Sequence, residues 1–157
     1  MYHGLLKYNC YLLFILFIIF FKDAKADATK IKDVVAVKGV IDIREVDLQK
    51  TTVHLRGDWG FYWKKLLAPN SFDSAKPAYL PFPQLWNNTV FNGKRLSPFG
   101  YATYTLTVLL PKEKQDLALQ IPDVYSSYRL YINGVEFASN GNPDSTKERS
   151  IPKWISK

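Results

Sequence analysis

Cysteine is almost missing from this chain of 157 residues: Cys10 is the only one. It falls in the leader described below, so a disulfide scaffold, a cysteine nucleophile and a cysteine-rich zinc site are excluded from the domain. Histidine is nearly as scarce, with His3 and His54 alone. One of the two falls in the leader described below, which speaks against a histidine metal cage or a Ser-His-Asp relay. No window carries the 3.6-residue apolar period of a long amphipathic helix, and there is neither an internal repeat nor a low-complexity tract. What is present is a composition of 47% hydrophobic, 15% aromatic and 22% charged residues. That is ordinary for one globular domain and too apolar for a disordered chain. It points to a binding or structural module before an enzyme.

The amino end reads as an export signal. Lys7 precedes an unbroken apolar run from Tyr11 to Phe21, followed by Lys22-Asp23-Ala24-Lys25-Ala26-Asp27-Ala28. A spanning helix needs about 20 apolar residues, and this run is shorter, of the length of a signal-peptide core. Ala24 and Ala26 suit a signal peptidase cutting before Asp27, and Ala26 with Ala28 offers a second cut. The alternative is an uncleaved anchor, extended by Tyr8, Asn9 and Cys10. The expected organisation is a signal segment over 1–26, a linker over 27–37 and a folded domain over 38–157. Either way the domain is expected to be extracytoplasmic, in the periplasm or on the outer face of the inner membrane. A lipobox is absent. The whole chain carries 21 basic and 14 acidic residues, net +7. Its lysines are scattered rather than gathered on one stripe, and export removes nucleic acid as a partner.

From Gly39 onward the chain predicts short strands separated by turn residues. Val40, Asp42 and Arg44 alternate with Ile41, Ile43 and Glu45, leaving one apolar face. Thr52–Leu55 is a second candidate. Trp59–Trp63 is an aromatic strand in which Phe61 and Trp63 share a side and Tyr62 takes the other. The stretch from Ala68 to Pro98 holds five prolines and is expected to be loop with brief edge strands. Tyr101–Leu110 alternates over ten residues, with Ala102, Tyr104, Leu106, Val108 and Leu110 on one face. Leu117–Ile121 is a further half-buried strand. Leu130–Ile132 and Val135–Ser139 flank Asn133-Gly134, the strongest short hairpin signal. Turn signals every 8–12 residues argue for an all-β sandwich or jelly roll.

Candidate binding residues follow from exposed aromatic and polar groups near turns. Trp86, in the proline-rich loop, is the best aromatic candidate for stacking on a sugar ring, with a buried loop anchor as its alternative. Tyr125, Tyr128 and Arg129 lie in a polar, aromatic stretch before the hairpin. Arg129 is suited to bidentate hydrogen bonding of a carboxylate or sugar hydroxyls. Asn140, beside Gly141, either touches a ligand or shapes a loop. The Trp59–Trp63 cluster is expected to fill the core. The acidic residues are too dispersed to define a glycosidase pair. Asp42, Asp47 and Asp123 show no calcium-loop spacing. No catalytic residue, metal ligand or cofactor is predicted, and the partner expected is a small molecule such as a carbohydrate.

Five ordered segments carry a resemblance. They are Gly57-Asp58-Trp59-Gly60-Phe61-Tyr62-Trp63, Leu80-Pro81-Phe82-Pro83-Gln84-Leu85-Trp86, Gly100-Tyr101-Ala102-Thr103-Tyr104, Tyr128-Arg129-Leu130-Tyr131-Ile132-Asn133-Gly134 and Val135–Gly141. The set resembles the extracytoplasmic galactose-binding-like jelly roll at the front of bacterial seven-transmembrane receptors with diverse intracellular signalling modules. It is also similar to the non-catalytic sugar-binding domain of family-2 glycoside hydrolases. The resemblance spans about residues 38–154. It implies a galactose-binding-like β-sandwich serving as the sensor domain of a membrane signalling receptor. That family's jelly roll continues beyond the position of Trp154 with further strands, a membrane bundle and an effector, so the resemblance implies a truncated member. The rival expectations are a structural or interaction sandwich without a small ligand, and a gene remnant.

Overall fold

The computed structural model describes residues 30–69, 71, 76–122 and 124–153. The expected signal segment, Asp123 and Trp154 lie outside the described residues. Twelve short strands and one 3-10 turn make up the regular structure, and no α-helix occurs among the described residues. The protein is all-β.

Its organising element is β5 (Arg56–Trp63), which pairs antiparallel with β6 (Ala78–Phe82). On its other side it pairs first with β2 (Val35–Ala36), in parallel, and then with β9 (Ala102–Thr105), antiparallel. Pro81 sits in β6, opposite Asp58. Proline is tolerated there because β6 is an outer strand of this sheet among the described residues. A second sheet joins β3 (Val40–Asp42) in parallel to β10 (Thr107–Leu109). Elsewhere β1 (Lys30–Lys32) pairs with β4 (Thr51–Val53), β7 (Val90–Phe91) with β8 (Lys94–Arg95), and β11 (Tyr128–Ile132) with β12 (Val135–Asn140). Residues 30–37, which the composition places in a linker, thus carry β1 and β2 and supply Ala36 to the core.

Two clusters form that core. The aliphatic one joins buried Ala36, Ile41, Ile43 and Val46, with Leu106 and Val108 packed against it. Ala36 belongs to the β5 sheet and Ile41 to the β3 sheet, so the cluster draws its residues from both. The aromatic one centres on Phe61, whose ring meets Trp63, Phe91 and Tyr104 at centroid distances of 5.9, 5.6 and 5.1 Å. Trp59 links the two: it packs on the aliphatic cluster and stacks on Phe82 at 4.1 Å. Gly57 is the close approach that lets β2 reach β5. Its φ is +116°, and a Cβ there would stand 2.5 Å from the Ala36 backbone.

The alternation holds over Val40–Arg44, with Ile41 and Ile43 buried and Val40, Asp42 and Arg44 exposed, and fails at Glu45, which is exposed beyond the end of β3. Two strand expectations need correction. Tyr101–Leu110 is not one strand: it breaks at Leu106, after which the chain leaves the β5 sheet and enters the β3 sheet. Its apolar face survives the switch, because Tyr104 packs with Phe61 while Leu106 and Val108 join the aliphatic cluster. Leu117–Ile121 is not a strand at all. Alternation describes a strand only where another edge accepts its backbone hydrogen bonds, and among the described residues none lies alongside it.

Candidate ligand-binding site

Trp86 opens the 3-10 turn Trp86–Asn88, in the loop after β6. Its ring is half-buried and meets Trp63 edge-on at 4.9 Å. Its Nε1 donates to the Tyr104 hydroxyl at 2.7 Å. The hydroxyl belongs to a phenol whose pKa is raised, chiefly by burial, with the Trp86 hydrogen bond opposing the shift. Gly100 keeps this corner open, since a Cβ there would collide with the Trp63 ring. The tryptophan therefore ties its loop to the aromatic cluster, which is the anchor alternative weighed for it above.

The other four candidates gather at the base of the β11–β12 hairpin, away from Trp86. Tyr128 and Asn140 are partners in the ladder, and opposite residues of an antiparallel pair share a face. The Nδ2 of Asn140 donates to the Val124 and Ser126 carbonyls at 3.3 and 3.4 Å. Those two contacts straddle Tyr125, which is 80% exposed. The Oδ1 of Asn140 is buried and has no hydrogen-bond partner among the described residues. Ser127 and Ser150 share a hydroxyl hydrogen bond of 2.8 Å on the same rim. Arg129 occupies the opposite face, 3.8 Å from Glu136 and 3.4 Å from the Asn142 Oδ1. Asn142 is held by Ile151, whose carbonyl accepts its backbone N–H at 3.1 Å.

The hairpin has a bulge between Leu130 and Tyr131: Tyr131 faces Glu136 while Leu130 faces Ala138, leaving Phe137 as the extra residue. The extra residue puts Arg129 opposite Ser139, one position further from Glu136 than an unbulged ladder would. A shallow cavity of about 200 Å³ lies elsewhere, between Leu48 and the 110–117 segment. It is below the roughly 300 Å³ at which drug-sized pockets begin, and none of the five candidates lines it. Periodicity gave no hint of it, because its lining residues belong to no strand.

Asp144 was not singled out from the sequence. Its carboxylate accepts from the Thr146 backbone N–H at 2.9 Å and the Thr146 hydroxyl at 3.1 Å, with Arg149 at 3.2 Å. The Thr146 backbone bond is the main reason its pKa lies below the usual carboxylate value. The Asp-Ser-Thr run at 144–146 is the local signal for such a turn. Among the described residues no group of three or more His, Cys, Asp or Glu side chains is placed to hold a metal. No helix among them is long and apolar enough to cross a membrane. Set against family models, curated proteins and solved structures, the chain matches none.

Proposed function

We propose that the protein is an extracytoplasmic ligand-binding module with a galactose-binding-like sandwich, a sensor domain of a membrane receptor, which takes a small carbohydrate at the base of the β11–β12 hairpin. The observation that carries the reading is the exposed Tyr125 ring, flanked by the Val124 and Ser126 carbonyls that the Asn140 amide holds. Sugars present C–H faces to aromatic planes, and an exposed ring on a held backbone offers that contact without a deep pocket. Tyr128 shares that face through its pairing with Asn140, whereas Arg129 serves as a flanking ion-pair residue. The resemblance set out above supports the same reading independently of this geometry.

A second reading, an interaction module that packs against another protein, is favoured by the open apolar row on the hairpin, where Val135 is 71% exposed. Saturation-transfer NMR on the full chain separates the two. The sample is held in a zwitterionic detergent without a sugar headgroup, with neutral mono- and disaccharides at millimolar concentration. Transfer to a sugar that falls about tenfold in Asn140→Ala, the loss of a hydrogen bond and its orphaned partner, supports the ligand reading. No transfer to any sugar from a cooperatively folded sample overturns it.

A further inference from the structure

No aspartate or glutamate occurs between Asp73 and Glu113, a stretch that holds Lys76, Lys94, Arg95 and Lys112. In its middle stands the β7–β8 hairpin, carried on firmly seated residues. Phe91 packs edge-on against Phe61, and Leu96 and Thr89 are buried. The Leu96 N–H donates to the Thr89 carbonyl at 2.9 Å, and the Thr89 hydroxyl donates to the Leu85 carbonyl at 3.1 Å. Between these anchors the outward positions include large apolar and cationic side chains among neutral polar ones. Leu85 is 68%, Val90 64% and Phe99 72% exposed. Val90 and Arg95 are ladder partners and share the face opposite Phe91. Lys147 places its ammonium 5.2 Å from the Phe99 ring centroid, adding a cation at the edge of the same surface.

We infer that this surface, formed by Leu85, Val90 and Phe99 with Arg95 and Lys147, docks on an anionic lipid bilayer. The charge pattern selects that occupant. A soluble polyanion engages the cations and leaves three large apolar side chains in water. A neutral apolar partner leaves the cations without counter-charge. The headgroup region of an anionic membrane receives both, with apolar side chains entering the acyl boundary and basic ones meeting phosphates. The inference is independent of the sugar-binding reading, since it uses none of the hairpin-base residues.

The test uses the full chain with Cys10→Ser and Val90→Cys, so that one environment-sensitive fluorophore reports from position 90. Vesicles are phosphatidylcholine alone, or equal parts phosphatidylcholine and phosphatidylglycerol. Any contribution of the apolar run at 11–21 is common to the anionic and neutral vesicles, so the difference between them reads this surface. A blue-shifted emission is expected on the anionic vesicles only. It should be lost at about 1 M salt, where the Debye length is about 3 Å. The lipid concentration for half-maximal shift should rise at least about tenfold in Arg95→Glu/Lys147→Glu, a change of exposed residues checked by an unaltered melt. The same dye at Ser139→Cys, on the other hairpin, is expected to stay unshifted. Equal shifts on both vesicle types, equal shifts at 90 and 139, or a response to dextran sulfate without one to vesicles would each overturn the proposal.

Discussion

The β5 sheet and the β11–β12 hairpin are built from similar alternating sequence, yet they end in opposite states. Around β5 both faces are covered: Phe61 is buried in the aromatic cluster and Tyr62 is buried on the reverse side. Along the hairpin, Tyr131, Ile132, Val135 and Phe137 stay exposed. What differs is not strand propensity but the number of neighbours. Among the described residues, β5 has three strands beside it, while β11 and β12 have only each other. A two-stranded ribbon alone is marginal in water. This one leans on its turn, on the Arg129–Glu136 pair and on the Asn140 bonds to the 124–126 backbone.

The sharpest way to test that contrast is a matched pair of phenylalanine truncations. Phe61→Ala empties the centre of the aromatic cluster and is expected to cost about 3–5 kcal/mol, enough to erase the cooperative melt. Phe137→Ala, on the exposed bulge, is expected to change stability by no more than about 0.5 kcal/mol. Comparable losses in urea titrations of the two would mean that the hairpin is as well packed as β5.

Gly134→Val probes the ribbon's dependence on its turn. Asn133 and Gly134 have φ of +50° and +85°, and a β-branched residue at the second position costs about 1–3 kcal/mol of local strain. Amide exchange should accelerate in β11 and β12 and stay unchanged in β5. Uniform acceleration would tie the two regions into one cooperative unit.

Tyr104→Phe leaves the Trp86 N–H without its acceptor and should cost about 1–2 kcal/mol. It also carries a pH signature. The folded phenol titrates above its ordinary value of 10.0, so its contribution is complete below pH 10 and drains away as pH rises through the folded value. Phenylalanine should abolish that alkaline arm of the stability curve, read from melts across the range.

The smallest effect is expected at Asp42, whose carboxylate accepts a bidentate pair from Arg44 at 3.0 and 2.6 Å. The Arg44 hydrogen bond lowers its pKa from 3.8 to about 2. The linked stability is present above pH 3.8 and is lost as pH falls towards 2. Asp42→Asn should lower stability slightly at neutral pH and leave it unchanged near pH 2, flattening the acid limb; the effect is small because the pair is solvent-exposed.

Much of the strand plan was legible because its signals are local. Asn133-Gly134 demands a tight turn, and the Val40–Arg44 alternation predicts which residues face inward. The hairpin at β7–β8 was equally legible, through Asn92-Gly93 at φ of +49° and +75°, but surrounding prolines masked it as loop. The break at Leu106 was not, because it depends on two separate edges being available to one segment. The missing strand at Leu117–Ile121 is the converse, a local pattern with no edge to receive it. At the candidate site, Tyr125, Tyr128 and Asn140, which the sequence singles out, come together at the hairpin base. The sequence did not separate Trp86 from them, since which ring an indole leans on is a long-range fact.

The switch at Leu106 also governs how the molecule comes together. Because Tyr104 and Val108 hang from one short span of backbone, sliding that span by a single position would swing both outward at once. The ring cluster and the aliphatic cluster are therefore proofread by the same ten residues. An error in threading cannot damage one half while sparing the other.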